Sequence, residues 1–170
     1  MDDITKSVQL KKCEPCNLRK WIVPSGTLFT CGRPGRGTFS GSKKQIPEDI
    51  IDLWVDGLPK APQLSIISLL GHKHPSGRSE FSYYPFRSCM EDGTTPTFQD
   101  WLNSRYGPRF IVEEFPTEDR LPMASCDAVE AIRNRVRTLL DSGAVVIIVD
   151  SAGVQRTGEV CRTIGMSQSN

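Results

Sequence analysis

Ala144-Val145-Val146-Ile147-Ile148-Val149 runs directly into Asp150-Ser151-Ala152-Gly153-Val154-Gln155-Arg156-Thr157-Gly158. The first six residues are continuously apolar and rich in β-branched side chains, the pattern of a strand buried on both faces. Small residues and glycine follow, then Arg-Thr, which reads as a tight loop opening into a helix. Such a loop directs successive backbone N–H groups and the positive end of a helix at one point, which makes an anion site. Ser151, Ala152, Gly153, Val154, Gln155, Arg156 and Thr157 are the expected phosphate-binding residues. Gly153 and Gly158 are expected to supply curvature and close backbone approach. Arg156 is expected to hold two phosphate oxygens in its planar fork, and Thr157 to turn its hydroxyl into the loop. An ordinary strand-to-helix turn can also carry Gly and Arg, but this ordered string is far more specific than a lone glycine-rich loop.

Outward from the loop, the chain alternates between helical and strand patterns. Short strands are expected at 21–23 and 27–30 around the turn signal Pro24-Ser25-Gly26, followed by a flexible basic loop at 32–37. Ile46, Ile50, Leu53 and Trp54 have helical spacing after Pro47, ending near Gly57. Residues 64–70 read as a buried strand, 81–86 as another, and 110–112 as a third. Phe98, Trp101, Leu102 and Tyr106 suggest a short helix closed by Gly107-Pro108. Ser125 can cap a helix with Ala128, Val129, Ile132, Val136, Leu139 and Leu140 on one face, stopped by Gly143. The fold class expected is therefore α/β, a mostly parallel central sheet flanked by helices. Ligands of such sheets bind at the carboxyl ends of strands, where Asp150 lies.

Composition narrows the function classes. The 170 residues fit one domain, with 1–20 expected as a loose N-terminal arm and 21–170 as the folded unit. A net charge of +1 gives no general attraction to nucleic acid or anionic membrane, so neither is an expected partner. No apolar run reaches the length of a membrane span, and the acidic start lacks a signal-peptide core, so an intracellular, cytoplasmic protein is expected. Of six cysteines only Cys13 and Cys16 are close. No second pair completes a thiolate site, so reduced thiols are expected, with no metal and no cofactor. His72 and His74 read as solvated loop histidines, Arg33, Arg36 and Arg87 as surface charge, and Arg133, Arg135 and Arg137 as the solvated face of a helix.

The 144–158 segment resembles the signature loop of cysteine-dependent tyrosine and dual-specificity phosphatases: a Cys, five residues, then Arg and Ser or Thr. Phe115-Pro116-Thr117-Glu118-Asp119-Arg120-Leu121-Pro122 is similar to that family's general-acid loop. Ile22-Val23-Pro24-Ser25-Gly26-Thr27-Leu28, Arg33-Pro34 and the 66–70 strand fit its early sheet. The resemblance covers about residues 21–165 and implies a phosphatase-like fold acting on a phosphorylated protein or a small phosphomonoester. It implies a nucleophile at 150, a proton donor at Asp119 (Glu118 is the weaker match), and phosphoryl stabilisation by Arg156 and the loop amides.

The chain departs from the family at the nucleophile, because Asp150 stands where the cysteine belongs. A carboxylate is a harder nucleophile than a thiolate and repels a phosphate dianion. Cys161 and Cys126 read as buried small residues rather than substitutes. The family fold continues past the loop helix, whereas only fourteen residues follow Arg156 here, so C-terminal helices are expected to be lacking. Three readings follow. One is a pseudophosphatase that retains the phosphate cradle. Another is an active phosphomonoester phosphatase in a disabled or atypical-nucleophile form. The third is a truncated interaction domain.

Overall fold

The computed structural model describes residues 14–23, 26–38, 45–71, 79–117 and 126–166. Five strands form one mixed sheet in the order β1-β2-β5-β3-β4: β1 Arg19–Val23, β2 Gly26–Gly32, β3 Leu64–Ser68, β4 Phe110–Glu114 and β5 Val145–Asp150. β1 runs antiparallel to β2, and every other pairing is parallel. Four helices flank the sheet among the described residues: α1 Glu48–Gly57, α2 Phe98–Tyr106, α3 Cys126–Asp141 and α4 Gln155–Met166. The α/β class and mostly parallel sheet are as expected from the sequence.

β5 is central because both of its faces are apolar. Ile147 and Val149 join Leu64, Ile66 and Phe110 beneath α1 and α2. Val146 and Ile148 face the other way, with Leu28 and Ile67, against Ile132, Val136 and Leu140 of α3 and Val160, Cys161 and Ile164 of α4. A strand buried on both sides needs this unbroken hydrophobic run. Ala128 of α3, expected on the apolar face, is exposed. α2 starts at an N-cap, where Thr97 Oγ1 accepts from Asp100 N at 3.2 Å, and ends at Gly107, whose φ is 89°.

Register fixes the site. Gly32 of β2 lies beside Asp150, and Ser68 of β3 lies beside Val149. The chain passes from β2 to β3 on opposite sides of β5, so the sheet order reverses around the strand that carries Asp150. Open α/β sheets bind ligands in the crevice at such a point.

Two expectations about elements are corrected. Residues 81–86 do not form a strand: Glu80–Tyr83 is a 3-10 turn, capped where Phe81 N donates to Ser79 Oγ. Phe81 and Tyr84, three residues apart, both reach the core, as a helical turn allows and a strand does not. Pro85 removes the next N–H. The second correction is that folded structure begins before residue 21. β1 starts at Arg19, and Gly32 N donates to Cys16 O at 2.7 Å.

Candidate functional site at the end of β5

The last residue of β5 turns its carboxylate into the loop that follows. Asp150 is 2% exposed. Its Oδ2 accepts from Thr157 N at 3.0 Å, and its Oδ1 accepts from Gly153 N. The loop thus closes on its own side-chain carboxyl through two backbone N–H groups. The N–H groups of Ala152, Val154 and Gln155 donate to no protein acceptor among the described residues.

Gly153 is required by geometry. Its φ is +73°, and a Cβ there would stand 2.3 Å from Cys31 C and Gly32 N. The loop is therefore pressed against the end of β2. Gly158 has no comparable role: it lies inside α4, and a Cβ there would meet only the Arg162 side chain at 3.5 Å. The curvature expected of both glycines belongs to Gly153 alone.

Arg156 is buried at 1% exposure and points to the carboxyl ends of the neighbouring strands. Nη1 lies 2.8 Å from Leu69 O, 2.9 Å from Thr117 O and 3.2 Å from Thr117 Oγ1. Nη1 and Nη2 lie 3.1 and 3.2 Å from the two oxygens of Glu80. This is the two-pronged arrangement a guanidinium makes with a phosphate, made here with a carboxylate. Glu80 is held in turn by Gly71 N at 3.0 Å. Thr157 Oγ1 is buried and has no hydrogen-bond partner among the described residues. The hydroxyl expected to face the loop is thus left over after its backbone N–H has bound Asp150.

Arg33 is not surface charge, as its sequence context suggested. It is 7% exposed; Nη1 donates to Tyr84 Oη at 3.0 Å, and the guanidinium lies over the Tyr83 ring at 5.1 Å. Tyr84 donates onward to Pro34 O at 2.6 Å. Burial pushes the Tyr84 phenol up to about 12. Arg36 is half-buried, while Arg87 binds Thr95 O and Glu91 O within its own connection. Arg135, expected on a solvated face, ties α3 to β4 through Glu113 at 2.6 Å.

Asp119 and Glu118, the candidate proton donors, lie outside the described residues, as do His72, His74 and Cys13. Thr117, two positions before Asp119, is bonded to Arg156. Neither Cys31 nor Cys161 offers a thiolate. Burial drives Cys31 well above the usual thiol range, with the charge of Asp150 adding to it, and burial pushes Cys161 up to about 12. No group of three or more metal-ligating side chains is present among the described residues. No helix there is long and apolar enough to cross a membrane.

Of the expected loop residues, Gly153 and Thr157 direct their N–H groups at Asp150, whereas the Arg156 side chain turns to Leu69, Thr117 and Glu80. Glu80, Thr117 and Asn17 were missed by sequence reasoning. Glu80 sits just before the 81–86 segment expected as a strand, and Thr117 was read only as part of the acid loop. Asn17 meets Ala152 across 135 positions, and no local pattern encodes such a contact. Set against family models, curated proteins and solved structures, the chain matches none of them.

Proposed function

We propose that this chain is a catalytically silent domain of the tyrosine and dual-specificity phosphatase type, with Asp150 held in the place of the nucleophile and of the phosphate. The observation that carries this reading is the pair of bonds from Gly153 N and Thr157 N to a fully buried Asp150 carboxylate. Amides arranged in this way favour a negative charge at their focus, which in the resembled family lowers a thiol pKa and then stabilises a phosphoryl transition state. Here they stabilise a carboxylate that does neither. Arg156 is similarly engaged by Glu80. A loop of this kind takes a phosphorylated protein or a small phosphomonoester, but Asp150 fills it here, so its role in this chain is regulatory rather than hydrolytic.

The test is turnover of a generic aryl phosphate by the unmodified chain, Asp150→Cys and Asp150→Ala. Turnover is expected from Asp150→Cys alone, and Asp119→Asn in that background should lower it if Asp119 is the proton donor. Turnover by the unmodified chain that is abolished in Asp150→Ala would make the carboxylate a nucleophile and end the proposal. A folded but inactive Asp150→Cys chain would deny the loop its phosphatase character.

A further inference from the structure

We propose that Asn17 is a positioning residue for the loop: by holding the Ala152 carbonyl on the outside, it turns the adjoining N–H inward to the anion site. This rests on reading the loop as an anion cradle. Asn17 Nδ2 donates to Ala152 O at 2.7 Å and lies 3.3 Å from Cys16 Sγ. The Ala152–Gly153 peptide is trans, since Glu14-Pro15 is the single cis bond among the described residues. In a planar trans peptide the C=O and N–H point in opposite directions. One end of this unit is fixed by Asn17, and the other donates to Asp150.

The preceding peptide is set in the same way. Ser151 O accepts from Arg33 N at 3.3 Å, so the N–H of Ala152 is directed to the opposite side. Two successive peptide planes are therefore oriented by contacts to their carbonyls, leaving the donors for the cradle. This matters because Ser151-Ala152-Gly153 precedes α4 and has no helical hydrogen bonds of its own to choose an orientation.

Asn17 is itself firmly placed. Its φ of 53° is a left-handed conformation that Asn tolerates better than most residues. On one side, Cys16 O accepts from Gly32 N at 2.7 Å. On the other, Glu14 Oε1 accepts from Gly37 N at 3.0 Å and from Thr38 Oγ1 at 3.2 Å. Pro15 packs so closely on α1 that a Cβ on Gly57 would lie 2.4 Å from Pro15 Cδ. Residues 14–17 thus bridge α1, the end of β2 and the loop, and Asn17 supplies the contact to the loop.

Two substitutions separate the donor from the backbone it sits on. Asn17→Gly keeps the left-handed conformation without a side chain. Asn17→Asp keeps the shape but points an acceptor at a carbonyl. The first readout is the Gly153 amide resonance by ¹⁵N NMR in the chain that retains Asp150. It should move upfield in both variants while β5 resonances stay in place. The second is the affinity for tungstate by calorimetry in Asp150→Ser, where the cradle is vacated. There each Asn17 substitution should weaken binding about tenfold, the loss of one well-placed hydrogen bond. Asn17→Asp should be at least as weak as Asn17→Gly, an order that loss of packing alone would reverse. An unmoved Gly153 resonance together with tungstate affinity within about twofold of the parent would overturn the inference. If Asp150→Ser binds no tungstate, the cradle reading falls, and the Gly153 resonance alone decides whether Asn17 sets the peptide.

Discussion

At the scale of single residues, the side chain at position 150 decides what lies at the focus of the loop. The carboxyl at position 150 accepts the N–H bonds of Gly153 and Thr157, so the loop folds around its own side chain. That outcome follows from ordinary satisfaction of buried polar groups, since a carboxyl side chain at 2% exposure must find hydrogen-bond partners. Gly153 is the residue least able to change. Alanine there would combine a positive φ with a Cβ inside the backbone of Cys31 and Gly32. Gly153→Ala is expected to cost about 2–4 kcal/mol, read as a fall of roughly 5–10 °C in Tm. A fall of no more than a degree would mean that the loop does not press on β2 as described. Much of this was legible beforehand. The string from Asp150 to Gly158 read correctly as a tight loop between strand and helix, whereas the contacts of Glu80 and Asn17 come from remote parts of the chain.

At the scale of elements, connectors carry the charged groups of the site. The 3-10 turn at Glu80–Tyr83 delivers Glu80 to Arg156, and Tyr84 just after it pins the Arg33-Pro34 connection. The sequence pattern misled here because Phe81, Tyr83, Tyr84 and Phe86 are all good strand formers, and only the i, i+3 pairing of Phe81 with Tyr84 hints at a turn. Strands and helices with long apolar faces were legible because burial alone determines them; the short aromatic turn takes its shape from tertiary packing. Tyr84 also gives this region a pH signature. Burial raises the phenol from its ordinary 10.0 to about 12, so the folded state favours the neutral ring. Its contribution is complete below about pH 10 and is lost as pH climbs towards 12, amounting to about 2–3 kcal/mol. In denaturant titrations between pH 9 and 12, Tyr84→Phe should start less stable, having lost the bonds to Arg33 and Pro34, and should decline less steeply. Parallel slopes for the two chains would deny that Tyr84 is buried and neutral.

At the scale of the whole molecule, two apolar layers on either side of β5 hold one sheet together, and the sheet order reverses where the loop begins. The α/β architecture could be read from the alternation of patterns, and the place of the candidate site follows from the rule that such sheets bind at their carboxyl ends. The burial of β5 was readable in its unbroken apolar run, but its neighbours β2 and β3 were not, because strand order is a property of the packed chain. On the proposed function the loop is an anion cradle closed by its own carboxylate. The direct measurement is thermal denaturation of the unmodified chain and of Asp150→Ser, with and without saturating tungstate. Ligand at about a hundred times its Kd stabilises by about 2.7 kcal/mol, a shift of roughly 5–10 °C in Tm for a domain of this size. That shift is expected in Asp150→Ser and none in the unmodified chain. Equal shifts in both chains, or none in either, would contradict it.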